Sequence, residues 1–141
     1  MAVTKIHPIE KTLHLALNYI MNADKTDGKL LISSFNCNPK LAHLEFEQTK
    51  RECNSKAKIL ARHLIQSFAP GETTPEQAHK IGLELCEKVF QGKYEYVLTT
   101  HIDKGHLHNH VIFNNVSFVT GKAYQSNKRS YHQIRTVSDE I

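Results

Sequence analysis

Cysteine is scarce in this chain and badly spaced for a covalent or metal framework. Cys37, Cys53 and Cys86 are odd in number, lie far apart and form no CxxC pair. That argues against a disulfide scaffold or a zinc ribbon and fits a reducing compartment. No apolar run approaches the ~20 residues a membrane-spanning helix needs. The first eleven residues lack the apolar stretch of a secretory signal. Repeats and low-complexity segments are also missing. The charge excess is small, +4 with ten histidines counted as neutral, which suits a polyanionic partner without identifying one. The expectation is a cytoplasmic protein with no membrane insertion.

What is present is one domain's worth of chain, 141 residues with an ordinary apolar fraction of 40%. Alternation over Ala2–His7 predicts a first strand, closed by Pro8. Ile9, Leu13, Ala16, Leu17 and Ile20 recur at helical spacing, and the polar run from Asn22 to Gly28 ends that helix. A strand is predicted over 29–36, a helix over 39–54, and a strand with two apolar faces over 57–68. Thr74 as N-cap, Pro75 at the first helical position and Gln77 as the capping-box partner open a helix that stops at Gly92. Strands follow over 93–102 and 107–118, joined by a turn at Asp103-Lys104-Gly105. A second turn falls at Thr120-Gly121-Lys122, and a last helix begins near Ser130. The predicted fold class is α+β, a mostly antiparallel sheet of about five strands with helices on its faces. The chain stops in mid-helix at Ile141, so residues 1–141 are expected to be one domain of a longer protein.

Four of the ten histidines fall between positions 101 and 110. His106, His108 and His110 alternate, so on a strand their imidazoles share one face. In the tightest hairpin His101 stands opposite His106; a wider loop sets it opposite His108. Either way it joins the same surface. Alternate positions spanning three histidines put the outer Cα atoms about 13 Å apart, too far for His106 and His110 to share an ion at about 2.1 Å. One divalent ion therefore takes His101 and His108 with either His106 or His110. Three neutral imidazoles leave coordination positions open, as in a catalytic ion site.

The pattern His-x-Asp-x-x-His-x-His-x-His-x-x-x-Asn over residues 101–114 is similar to the third motif of relaxases, the HUH-type endonucleases of conjugative and mobilizable elements. Asn18-Tyr19-Ile20-Met21-Asn22-Ala23-Asp24-Lys25-Thr26 resembles their tyrosine motif, and Ser67-Phe68-Ala69-Pro70-Gly71-Glu72 their middle motif. The resemblance implies metal-dependent, site- and strand-specific cutting of single-stranded DNA at an origin of transfer. Tyr19 would be the nucleophile and end as a 5′-phosphotyrosyl linkage. The implied metal ligands are His101, His108 and His110, with His106 and Asn114 close by. Glu72 or Asp103 would orient a ligand histidine or take the tyrosine proton. The implied ion is Mn²⁺ or Mg²⁺, with Zn²⁺ or Ni²⁺ able to occupy the site in purified protein. Relaxosome accessory and coupling proteins are the implied partners.

Other residues read more plainly. Tyr94 and Tyr96 are expected in packing, whereas Tyr124 and Tyr131 lie in polar sequence suited to base stacking. Lys122, Lys128, Arg129 and Arg135 form a candidate DNA-backbone cluster, with a solvated face as the equal alternative. Lys50, Arg51, Lys56 and Lys58 carry the same two readings. His63 is expected in the core or behind a ligand. Two other functions fit the histidines: a hydrolase using metal-activated water, and a DNA-binding accessory protein with structural histidines.

Overall fold

The computed structural model describes residues 2–22, 31–103 and 106–140, without the side chain of Asp103. Within these, the elements are β1 (Val3–Ile9), α1 (Leu13–Ile20), β2 (Ile32–Phe35), a 3₁₀ turn (Pro39–Leu41) leading into α2 (Ala42–Glu52), β3 (Ala61–Ser67), α3 (Pro75–Phe90), β4 (Tyr96–Asp103), β5 (His106–Asn114) and α4 (Lys128–Glu140). The strands form one sheet in the order β1-β3-β5-β4-β2, every neighbouring pair antiparallel. The α+β architecture expected from the sequence is the one observed. None of the described helices is long and apolar enough to cross a membrane.

Period-2 alternation sorts the strands into two faces with separate cores. On one face Ala61, Val97 and Ile112 meet Leu13, Leu17 and Ile20 of α1 and Phe46 of α2. On the other, Leu64, Leu98, Val111 and Phe113 meet Leu85 and Phe90 of α3 and Ile134 of α4. Ile9 supports α1 from the end of β1 rather than from within the helix. The helix starts later than its periodicity suggests because Thr12 takes a left-handed conformation, φ 54°.

Strand ends follow their partners. β3 begins at Ala61, not residue 57, because Ile9 is its last partner on β1. β5 ends at Asn114, not residue 118, since β3 ends opposite it. The chain then wraps around Ser117, whose hydroxyl accepts from Val119 N and Thr120 N. At the start of α3, Thr74 caps as expected, its hydroxyl accepting from Gln77 N at 3.3 Å. Tyr124 departs from its polar reading. Its ring lies 5.1 Å from Phe113, with the Arg62 guanidinium 5.7 Å above it.

Helix α3 lies unusually close to the sheet at Gly82. A Cβ there would come within 2.8 Å of the Asn109 amide nitrogen and 3.0 Å of its Cγ. Gly82→Ala should gain about 1 kcal/mol of helix propensity but incur ~1–3 kcal/mol of overpacking. The expected result is a net loss of up to about 2 kcal/mol, read as a lower urea midpoint; a raised midpoint would contradict this close approach.

Candidate active site

The hairpin register builds the site. His101 pairs with His108, Thr99 with His110, and Asp103 with His106, so the wider of the two sequence registers is realised. Alternation then puts His101, His108 and His110 on the face that carries α1. The turn residues Lys104 and Gly105 lie outside the described residues. Among the described residues α1 and α2 pack on the Ala61–Val97–Ile112 end of that face, and the last residue of α1 reaches the histidine end through its bond to His101. Tyr19, one residue before the end of α1, projects over this end and is 55% exposed.

The rings form a row. His101 and His110 centres are 4.0 Å apart, His108 and His110 6.2 Å, and His63 and His110 5.0 Å. His7, the register partner of His63 on β1, extends the row at 4.8 Å. The Tyr19 ring stands edge-on, 5.8 Å from His101 and 6.3 Å from His110.

Hydrogen bonds select the nitrogens. His101 Nε2 lies 2.8 Å from the Ile20 carbonyl. A carbonyl only accepts, so His101 donates from Nε2. His110 Nδ1 is 2.8 Å from His63 Nε2, so ligation by His110 falls to its Nε2. His108 Nδ1 is 3.0 Å from the Ser67 hydroxyl. Such outer contacts fix tautomer and ring orientation in metal sites. Burial, with His7 and His101 adding to it, lowers the His63 pKa from 6.5 to about 4. Burial together with the facing His101, His63 and His108 lowers that of His110 to about 2. Both imidazoles are neutral at pH 7, the form a metal binds.

These residues fit a divalent ion in donor chemistry. Three imidazoles around one ion at ~2.1 Å place their ring centres roughly 4.5–6 Å apart, and the observed 4.0 and 6.2 Å bracket that range. Thr99, across the ladder from His110, also holds a buried hydroxyl with no partner among the described residues. A bound water or ion is a usual explanation for such an orphan. The donors are gathered but not converged: no ligating group of three was found among the described residues.

Other expected site residues lie elsewhere. Exposed His106 sits at the outer end of the row, 6.4 Å from the His108 ring. Asn114 is not near the histidines. Buried Ile112 separates it from His110, and its amide donates to the Phe46 carbonyl and to Glu95 at 2.9 Å. Glu72 accepts from Ala69 N at 2.8 Å and lines a cavity with Gln66, Phe68 and Ser138 on the opposite face. The Asp103 carboxylate lies outside the described residues. Lys128, Arg129 and Arg135 ride on α4, which packs on β1 and α3 behind the sheet. Lys122 sits in the turn whose Gly121 abuts Cys53. None of these cations is brought to Tyr19.

One feature was not singled out from the sequence: the polar network directly behind the histidines. Asn109, between His108 and His110 but on the other face, donates to the Ala78 carbonyl at 2.7 Å and to Gln66 Oε1 at 3.0 Å. Gln66 donates onward to the Ser138 hydroxyl. Thr100 donates to Asn109 Oδ1 at 2.7 Å. With its one proton used there, Thr100 must accept from His79 Nδ1, leaving His79 Nε2 to accept from Ser33. The chain ties β2, β4, β5, β3, α3 and α4 together beneath the site. The break in apolar alternation at Gln66, Thr100 and Asn109 was its only trace in the sequence.

An α+β domain with clustered neutral imidazoles beside an exposed phenol has the parts of a phosphodiester-processing site. Comparison with known proteins makes the class specific. The family model "Relaxase: MobA/VirD2-like, nuclease domain" matches residues 19–141. The "Protein rlx" of Staphylococcus aureus is 40% identical over 141 residues, covering 100% of this chain and 42% of the relative. "Group II intron-interrupted relaxase LtrB" of Lactococcus lactis subsp. cremoris (strain MG1363) is 35% identical over 134 residues, covering 75% of this chain and 23% of the relative. The chain belongs to the MobA/VirD2-like relaxase nuclease-domain family and spans less than half the length of these relatives.

The depressed histidine pKa values predict an acid-sensitive fold. The unfolded chain takes up a proton at His63 near pH 6.5, whereas the folded one does so near 4. Stability is therefore intact above about pH 6.5 and falls as pH drops toward 4, by at most ~1.4 kcal/mol per pH unit for each such histidine. Urea unfolding of chelator-treated protein across that window should show the slope, and His63→Asn should flatten it. An unchanged slope in the variant would contradict the assignment.

Proposed function

We propose that this domain nicks single-stranded DNA at an origin of transfer by transesterification, with Tyr19 as the nucleophile. The observation that carries the reading is the Tyr19 ring standing over His101 and His110. The Tyr19 hydroxyl oxygen attacks a backbone phosphorus and the bond to the 3′-oxygen breaks. That oxygen takes up a proton and leaves as a 3′-hydroxyl, while the 5′-phosphate stays on the tyrosine. Reversal rejoins the strand because the phosphodiester energy is conserved in the phosphotyrosyl bond.

A tyrosine of pKa ~10 is a poor nucleophile at neutral pH until it loses its proton. Of the two acids the family resemblance offers for orienting a ligand histidine or taking the tyrosine proton, we propose Asp103; the placement of Glu72 on the opposite face counts against that residue. His101, His108 and His110 would hold the divalent ion, Mn²⁺ or Mg²⁺ in the cell, which when bound polarises the phosphate and offsets charge on its oxygens. His63 and Ser67 fix two of those rings, and the Ile20 carbonyl fixes the third. Since Ile20 follows Tyr19 on α1, one backbone segment positions both nucleophile and ligand. Relaxosome accessory and coupling proteins are the proposed partners.

Tyr19→Phe should abolish the covalent adduct with labelled origin oligonucleotides in Mn²⁺ on a denaturing gel, a loss on the order of 10³-fold or more, with DNA affinity retained. Undiminished cleavage would sink the nucleophile in favour of a metal-activated water. Chelation should stop the wild-type reaction and added Mn²⁺ restore it. DNA binding without cleavage under any divalent ion would instead fit an accessory protein.

A further inference from the structure

At the far end of α1 from Tyr19 lies a groove of about 710 Å³, bounded by α1, α2 and the loop that follows α2. Lys50 and Arg51 of α2 and Lys56 of the loop line it, together with His14 and His43, whose ring centres are 5.9 Å apart. Glu47 is the one carboxylate among its lining residues. Neighbouring carboxylates are engaged elsewhere: Glu45 accepts from Asn38 N at 2.8 Å and Glu52 from the Gln48 amide at 2.9 Å. Among the described residues Lys50, Arg51 and Lys56 have no ion-pair partner. Three cations against one lining carboxylate, around a concave, part-apolar floor, favour a polyanion with hydrophobic faces over a free ion.

We propose that this groove binds the backbone of the DNA strand whose scissile phosphate lies at Tyr19, a few nucleotides from the cut. The inference rests on the strand-nicking reading above. His14 and Tyr19 are five residues apart on one helix, about 7.5 Å of axial rise. The two residues also differ by about 140° around the helix axis, so a strand engaged at the tyrosine reaches the groove by crossing α1, within the ~4–16 nucleotides that single-strand sites span.

A plainer account of Lys50 and Arg51 is that cations suit the last turn of α2, but that does not cover Lys56. The two accounts part on salt dependence, because each phosphate contact adds about −0.7 to the slope of log K against log salt for single strands. The test is anisotropy titration of fluorescein-labelled oligothymidylate of about 30 nucleotides between about 50 and 200 mM salt. Lys50→Gln/Arg51→Gln/Lys56→Gln is compared with wild type and with Lys128→Gln/Arg129→Gln/Arg135→Gln on α4, each checked for an unchanged circular dichroism spectrum. The groove variant should lose roughly 2 from the slope and the α4 variant markedly less. A wild-type slope in the groove variant overturns the proposal, as do equal losses in both variants. Adduct formation is scored separately on origin oligonucleotides. A reduced slope in the groove variant alongside a wild-type protein that forms no adduct keeps the groove and refutes the nicking chemistry.

Discussion

The β4–β5 ladder is the constraint on which the site depends. Its register puts His101 across from His108 and Thr99 across from His110. A two-residue slip would instead pair His101 with the exposed His106 and move His110 opposite Val97, two residues further from His101. A one-residue slip would put His101 on the face opposite to His108 and His110 and split the set. What holds the register is largely behind the sheet. Asn109 is bonded to Thr100 across the hairpin, to Gln66 across β3, and to the backbone of α3. Gly82 is what lets α3 come close enough for that last bond. The polar groups on the back are nearly all satisfied, as a buried network must be to stabilise rather than weaken a core.

Much of this was legible in the sequence because period-2 and period-3.6 patterns report directly on which face is buried. The order of elements, the two-faced β3, the cap at Thr74 and the shared face of the histidines all follow from spacing. Element ends did not, because a strand ends where its partner ends, and partnership is a long-range property. The hairpin register was open for the same reason: both loops are chemically allowed. Asn114 shows another limit. It shares the histidine face by alternation, yet Ile112 stands between, and the amide is spent on Phe46 and Glu95. Glu72 is the last residue of the middle motif, but the loop after β3 carries it to the other face.

The two faces divide the labour. Behind the sheet, Phe90, Tyr96 and Phe113 pack into an aromatic cluster with α3 and α4 against it. In front, among the described residues, α1 and α2 pack on one end, and the last residue of α1 reaches the histidine row. Burial within the row has an electrostatic consequence. At His63 and His110 burial and the repulsion of neighbouring imidazoles act in the same direction, each lowering the pKa. Both imidazoles are therefore neutral nitrogen donors at pH 7 rather than charged groups. A tyrosine at the rim of the same row is neither buried with it nor removed from it, which suits the proposed attack on a phosphate that arrives from solvent.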